Sequence, residues 1–347
     1  MFATVQADQL PHVPPAPAGA ARRSFATAGI GALIERQMGR YGDKPFLTHY
    51  DDDRAERVEL SYRTFENWTA KVANLLVEEL GIAEGARVAV LVGNTWRAVA
   101  ISFACWRAGI GLLPLDPAAP AERAAARVRE GGAAAVFVAD ERLAGVAAAL
   151  GPARGRPALV AVGGGLLGRS DAEPATALDF GTVVLSMGDL FEAAGGPDSE
   201  ALADAGPGGG LTQGELLAAA GAAAAWLRLD DSDRLLSGLP AHHRSGLAAG
   251  LVAPFAAGGG VVQSHGLKPG GFWKRVADER VAVVLLLREQ AQALLDAGAD
   301  PAGLDLGRLR TVACAPDPAP EALAAAWADR FPLPLSPTPA SLSEARR

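Results

Sequence analysis

The stretch RVAVLVGNTWRAVAISFACWRAGIGLLPLDP, Arg87–Pro117, decides the fold class. Arg87–Gly93 reads as a strand buried on both faces, because its apolar run is not interrupted by alternating polar residues. Asn94–Gly109 reads as a helix, and Gly111–Pro117 as a second apolar strand followed by a turn. Outward from it, ERAAARVREGG (Glu122–Gly132) predicts a helix and AAVFVAD (Ala134–Asp140) a further strand. Strand, crossover helix and strand in repeated order call for parallel pairing, so the class is α/β: layered parallel β-sheets with flanking helices. Trp96 and Trp106, with Trp68 upstream, fall on apolar helical stripes and are expected to anchor a core. Asp116 is expected to cap the turn that follows the second strand.

Upstream, Ile30, Leu33, Ile34, Gln37 and Met38 recur at helical spacing, and GDKP (Gly42–Pro45) stops that helix before the strand PFLTHY. DDDRAER (Asp51–Arg57) is a charged turn and VELSY a second strand, so the two strands predict a hairpin. The three consecutive aspartates are read as a solvated loop tip rather than a metal site. Ser61 is placed as the cap of a helix carrying Tyr62, Phe65, Trp68, Val72, Leu75 and Leu76 on one face and ending at Gly81. Residues 1–26 are proline-rich, lack the apolar core of a signal peptide, and are expected to be a disordered leader. A first subdomain is therefore assigned to 27–150.

Downstream, PALVAV (Pro157–Val162) resumes the strand pattern. The region 151–210, which includes GGPDSEALADAGPGGG, is rich in Gly, Pro and Ala and is assigned as a linker. The alternation returns as helix 212–227, strand 234–239, helix 245–257, strand 260–263, helix 270–280, strand 281–287 and helix 289–297. This is a second subdomain, 211–335, followed by a tail, 336–347.

Composition excludes several classes of function. The formal charge is −7 and no run of Lys or Arg exists, so the electrostatic footprint of a nucleic-acid binder is missing. Two cysteines, Cys105 and Cys314, stand far apart, which gives neither a disulfide framework nor a CxxC metal site and fits a reducing cytoplasm. Ala-rich runs fall short of the roughly 20 apolar residues that a membrane span needs, so no membrane insertion is expected.

Residues 27–140 resemble the N-terminal subdomain of the adenylate-forming superfamily, which includes acyl-CoA synthetases, luciferases and peptide-synthetase adenylation domains. The resemblance rests on GALIERQMGRYGDKPFL (Gly31–Leu47) and on the long segment from Leu60 to Asp140 that contains NTWRAVAISFACWRAG and PLDP. It is especially similar to short actinobacterial members. LTQGELLAAAGAAAAWLRLDDSDRLLSGLPAHHRSGLAAGLVAPFAAGGGVV (Leu211–Val262) is similar to the region that follows the family's phosphate loop. The resemblance implies a protein of two subdomains that handles an acyl or carboxylate small molecule.

Within that second match lies LPAHHRSGL (Leu239–Leu247), with two of the chain's five histidines side by side. By position the resemblance gives His243 a role beside an acyl pocket, which it gates, and gives His242 none. A strand's C-terminal end is also where open α/β sheets place ligand contacts. The candidate substrate-binding set is His243, Ser245 and Gly246, with Gly258, Gly259 and Gly260 beyond the next helix. The three glycines can equally be read as a turn into the following strand. Adjacent strand residues point to opposite faces and no acidic or Cys ligand is close in sequence, which argues against zinc. No G-x-S-x-G elbow surrounds Ser245, which argues against a serine nucleophile.

The family's reaction is attack of a carboxylate on the ATP α-phosphate. The phosphate loop expected before LTQGEL reads DAGPGGGLTQGE (Asp204–Glu215) here, with glycines but no hydroxyl cluster and no lysine, and with Pro207 removing one N–H donor. Ala315, Pro316 and Asp317 stand where the family has the small glycines that contact adenine. The sequence stops before the place of the aromatic-Gly-x-Thr-Glu motif and of the C-terminal domain with its catalytic lysine. GGGLLGRS (Gly163–Ser170) comes within one residue of a G-x-x-x-x-G-K-[ST] loop, with Arg169 in the lysine position, but Pro174 argues against the helix such a loop should open. No catalytic residue and no cofactor is assigned, and ATP with magnesium enters only if the chain is an active ligase. The expectation is an acyl-CoA synthetase-like protein impaired in adenylation. The alternatives are an active or partner-dependent ligase, which a separate synthetase polypeptide complements, and a non-enzymatic acyl-binding or interaction module that forms homo-oligomers or caps another synthetase.

Overall fold

The computed structural model describes residues 29–152, 154–164, 177–203, 210–331 and 333–337. The leader 1–26, most of GGGLLGRS, residues 204–209 of the phosphate-loop position and the tail beyond 337 lie outside the described residues.

The chain opens with α1 (Ile30–Tyr41), which Gly42 ends, and then makes the antiparallel hairpin β1 (Pro45–Asp51) and β2 (Glu56–Ser61). The Ser61 hydroxyl accepts from the Thr64 N–H and so caps α2 (Tyr62–Asn74) as the sequence predicts, and the helix runs on through a π turn to Glu79. There follow β3 (Arg87–Leu91), α3 (Trp96–Arg107), β4 (Gly111–Pro114), α4 (Ala121–Glu130), β5 (Ala135–Ala139), α5 (Asp140–Leu150) and β6 (Ala158–Val162). Three short strands, β7 (Leu178–Asp179), β8 (Glu200–Leu202) and β9 (Leu211–Thr212), flank α6 (Phe180–Ser186). Thr212 and Glu215 form a reciprocal capping box for α7 (Gln213–Leu227). The remainder is β10 (Arg234–Ser237), α8 (Arg244–Leu247), a π turn, α9 (Ala253–Ala257), β11 (Gly260–His265), α10 (Phe272–Asp278), β12 (Val283–Leu286), α11 (Arg288–Asp296), β13 (Thr311–Cys314), α12 (Glu321–Arg330) and β14 (Leu335–Ser336).

These strands form two seven-stranded sheets, parallel apart from the edge strands β2 and β9. The first runs β14-β13-β12-β10-β11-β1-β2 and the second β7-β6-β5-β3-β4-β8-β9. Two sequence assignments are corrected here. The hairpin β1–β2, placed with the first subdomain, pairs through β1 with β11 and so completes the sheet built by the second half. Residues 151–210, assigned as a linker, supply β7 and β8 to the second sheet as well as β6, the strand read in PALVAV, and β8 pairs with β4. Local composition signals turns, but pairing is decided by partners far away in sequence.

The strands show why the molecule is layered. In β10, Leu235 faces a core shared by both sheets while Leu236 faces the outer helices α10–α12. In β3, Val88 and Val90 enter the same shared core, whereas Ala89 and Leu91 pack under α4 and α5. The period of two thus sends alternate residues of each sheet into a middle layer, occupied by α1, α2, α3, α7 and α9. Five rings fill its centre: Phe46 of β1, Tyr62 and Phe65 of α2, Phe103 of α3 and Phe255 of α9, with centroid spacings from 4.7 to 6.4 Å among the contacting pairs. Trp96 and Trp106 are buried as expected, and Trp68, half-buried, packs edge-on against Trp96.

Buried polar groups stitch the same layer. The Gln37 amide donates to the carbonyls of Phe255 and Ala256, at 2.6 and 2.9 Å, and the Tyr62 hydroxyl to Gly259 at 2.6 Å. Gln213 accepts from Ile30 N and donates to Trp106 O, both at 2.7 Å. Both thiols are buried, which pushes their pKa values up. No helix among the described residues is long and apolar enough to cross a membrane.

Because Phe255 touches four other rings, Phe255→Ala is expected to lower the unfolding free energy by about 3–5 kcal/mol. Urea denaturation followed by tryptophan fluorescence measures this, and a loss below about 1 kcal/mol would show that the ring cluster does not hold the layers together.

Candidate functional site

The C-terminal ends of the two sheets meet at a cavity of about 300 Å³. From the second sheet come Asn94, just past β3, and Asp116, just past β4. From the first come His242 beyond β10, Ser264 in β11 and Gln290 in α11. A pocket at strand carboxyl ends is where an open parallel sheet leaves backbone and loop groups free to face a ligand.

Neighbouring side chains fix the loop after β10 in place. The Asn94 amide donates to Leu239 O at 3.0 Å and accepts from Ala241 N at 2.7 Å. Gln290 donates to Gly238 O at 2.8 Å while accepting from Leu287 N at 2.9 Å. One clamp thus comes from each sheet. Gly246 completes the hold, since a Cβ there would lie 1.9 Å from the Pro240 carbonyl oxygen. No side chain larger than hydrogen fits that contact.

Within this loop the structure separates the two histidines. His242 lines the cavity, with its Nε2 3.9 Å from Asp116 Oδ1 across the gap. His243 is half-buried at the start of α8, where its N–H donates to Pro240 O at 3.1 Å and its carbonyl accepts from Leu247 N at 2.9 Å. It is not among the residues lining the cavity, and its ring meets that of His242 edge-on at 5.7 Å. Motif position gave His243 the role and His242 none; the loop's turn presents the other ring.

The remaining candidates are also placed. Ser245 is buried, and its Oγ has no hydrogen-bond partner among the described residues. It and Gly246 pack behind the turn. Gly258, Gly259 and Gly260 sit at the N-terminal start of β11, at the opposite end of the sheet from the cavity. Gly258 has φ +80° and packs on the Tyr41 ring, and Gly259 packs on the backbone carbonyls of Asp230 and Asp233. Their role in this structure is the turn into β11.

The sequence reading missed two groups. Asn94 carries no chemical motif, and only its place at a strand end marks it. Asp51–Asp53 was read as a solvated tip, but Asp52 pairs with Arg275, which also donates to Ser264 Oγ at 2.8 Å and stacks on Tyr50 at 4.2 Å. Asp51 pairs within the turn with Arg54 at 3.0 Å and Asp53 with Lys268 at 2.7 Å, so two of the three carboxylates, Asp52 and Asp53, bind the hairpin to its surroundings. Asp116 accepts from Ala118 N at 2.9 Å, as its expected turn role requires, and also faces the cavity. Among the described residues no group of three or more His, Cys, Asp or Glu is placed to hold a metal ion.

Burial holds the His242 pKa below its ordinary 6.5, with Asp116 opposing and His243 adding to the effect. The ring is therefore neutral at pH 7. As pH falls below 6.5 the unfolded chain takes up this proton first, so the neutral ring's contribution to stability is full above that pH and is lost on acidification. His242→Gln is expected to flatten the fall of the thermal midpoint between pH 7 and the acid limit of folding, read by scanning calorimetry. Asn94→Ala is expected to cost about 1–3 kcal/mol by leaving a carbonyl and an N–H of the loop unpaired, and urea titration checks it.

The model of the family described as "AMP-binding enzyme" matches residues 34–177 and 208–338. A Mycobacterium tuberculosis (strain ATCC 25618 / H37Rv) protein, named only by its membership of a protein family, is 33% identical over 257 residues, covering 74% of this chain and 97% of that protein. Among solved structures, the anthranilate CoA ligase AuaEII in complex with anthranoyl-AMP superposes with a TM-score of 0.76 at 19% identity, over 91% of this chain and 60% of that one. A Brucella canis acyl-CoA synthetase gives 0.75 at 19% identity, over 88% and 56%, and the N-terminal domain of FACL13 from Mycobacterium tuberculosis gives 0.69 at 17%, over 87% and 73%. The chain thus spans little more than half the length of the two full ligase structures, and likeness at this identity speaks for the fold. With its family model covering both sheets, the chain belongs to the AMP-binding enzyme family.

Proposed function

We propose that this chain is an acyl- or carboxylate-binding member of its family, impaired in ATP-dependent adenylation and working in the cytoplasm. The binding half of this reading is carried by the cavity where the two sets of strand ends meet. Its volume of about 300 Å³ lies at the low end for small-molecule sites, which favours a short acyl group over a long one. His242 and Asp116 supply polar contacts at one side, and Leu267 and Leu287 supply apolar wall.

The impairment is supported by Asp204–Glu215, where no lysine and only Thr212 as a hydroxyl stand at the position of the family's phosphate loop. Such a loop stabilises charge on the departing phosphates. Removing one donor of this kind costs about 3 kcal/mol, on the order of 10²-fold in rate.

Titration calorimetry with free short and long carboxylic acids, ATP and non-hydrolysable acyl-adenylate analogues tests the reading, together with ATP–pyrophosphate exchange. Short acids are expected to bind, with affinity reduced in His242→Ala, and exchange to run at least about 100-fold below that of an active ligase assayed alongside. Rapid exchange would establish an active ligase instead. Exchange appearing only on addition of a separate synthetase polypeptide would establish a partner-dependent one. Failure of every ligand to bind would leave the interaction module, whose mark is self-association on size exclusion.

A further inference from the structure

A second, smaller crevice of about 60 Å³ lies at the C-terminal edge of the second sheet, against the β1–β2 hairpin. Its walls come from Gly93 and Thr95–Arg97 after β3, from Ala139 and Glu141 at the end of β5, and from Val162–Gly164 at the end of β6. Strand order explains the opening. From β3 the chain crosses through α3 to β4 on one side, and then through α4 to β5 on the other side of β3. The connections leave in opposite directions, so a gap opens outside the ends of β3 and β5, at the point where the winding reverses.

Into this gap comes Arg97, which is only 4% exposed, and whose Nε and Nη2 have no hydrogen-bond partner among the described residues. Its guanidinium lies 4.6 Å from the centroid of the Trp96 ring. A buried guanidinium without acceptors is costly, so a protein that keeps one has an acceptor to offer it in some state. Two further features converge on the same space. The N-terminal end of α3, capped by Thr95, directs its positive pole there. Gly164 lets the Arg54 guanidinium lie against the backbone, 2.3 Å from where a Cβ would stand.

We propose that this crevice is a binding site for a small oxyanion, a carboxylate or phosphate group, with the Arg97 fork as its principal donor and Arg54 and the start of α3 beside it. Asp51, Glu56 and Glu141 are the carboxylates that line the crevice with them. Asp51 is engaged by Arg54 at 3.0 Å. The site is separate from the 300 Å³ cavity, sharing only Gly93 with it, so it stands or falls independently of acyl binding.

The test is calorimetry on the full chain in a low-salt buffer free of both ions, titrated separately with inorganic phosphate and with acetate at matched ionic strength. Saturable binding of one ion per chain is expected, weakened at least tenfold in Arg97→Met and partly restored in Arg97→Lys, which keeps the charge without the fork. Arg63→Met, which removes an exposed cation elsewhere, is expected to leave it unchanged. Phosphate alone binding identifies a phosphorylated ligand, and acetate alone a carboxylate. No saturable binding of either ion, or equal binding by Arg97→Met, overturns the proposal. Should Arg97→Met fail to fold, the arginine Nε–H resonances of the wild-type chain decide: a titrating shift of one buried resonance supports the site, and no shift overturns it.

Discussion

The middle helical layer is the constraint on which the rest depends, because both sheets bury one face against it. Phe46, Tyr62, Phe65, Phe103 and Phe255 come from four elements scattered over most of the chain, and each ring is supported by the others. Neither sheet has an apolar core on its inner face without that layer. The outer helices cover the opposite faces but decide nothing about how the sheets are set against each other. With both sheets fixed to one layer, their strand ends converge, and the cavity with His242 and Asp116 follows from that convergence.

The loop that carries the histidines shows how a rigid scaffold disciplines an irregular segment. Three residues of the loop, Gly238, Leu239 and Ala241, are held by the side chains of Asn94 and Gln290, and Gly246 presses on Pro240 from behind. The cost of ordering such a loop is offset by these clamps on its backbone, and this leaves the His242 side chain to line the cavity. Its neutral state at pH 7 makes it a hydrogen-bonding group rather than a counter-ion for a carboxylate.

Much of the fold is legible in the sequence. Periodicity located nearly every long helix and strand: Ser61 and Gly42 were read as helix boundaries and are so, and the two-sided apolar runs at Arg87–Leu91 and Ala135–Ala139 are interior parallel strands. Pairing was not legible. Nothing in PFLTHY names Val261 as a partner, and strands as short as β7 and β8 carry too few residues for any period to emerge from a Gly- and Pro-rich background. The lining of the cavity was legible to the level of a loop and not of a side chain. LPAHHRSGL is the loop that borders the cavity, but which of two adjacent rings faces it depends on backbone angles around Ala241 that composition does not encode. Asn94 and Arg97 have no motif at all and acquire meaning only once β3 is known to lie where the winding reverses.

The pairing of β1 with β11 bears on how the chain is assembled in time. Leu47 emerges from a ribosome long before Val261, its neighbour in the sheet. During that interval the hairpin carries an edge of unpaired N–H and C=O groups and an exposed Phe46, the combination that invites strand addition by foreign chains. Asp52 and Asp53 leave negative charge at its tip, and their partners Arg275 and Lys268 arrive only with the segment that closes the sheet. Negative charge at the end of an unpaired edge opposes pairing with foreign strands, and here it is neutralised by residues of the segment that closes the sheet.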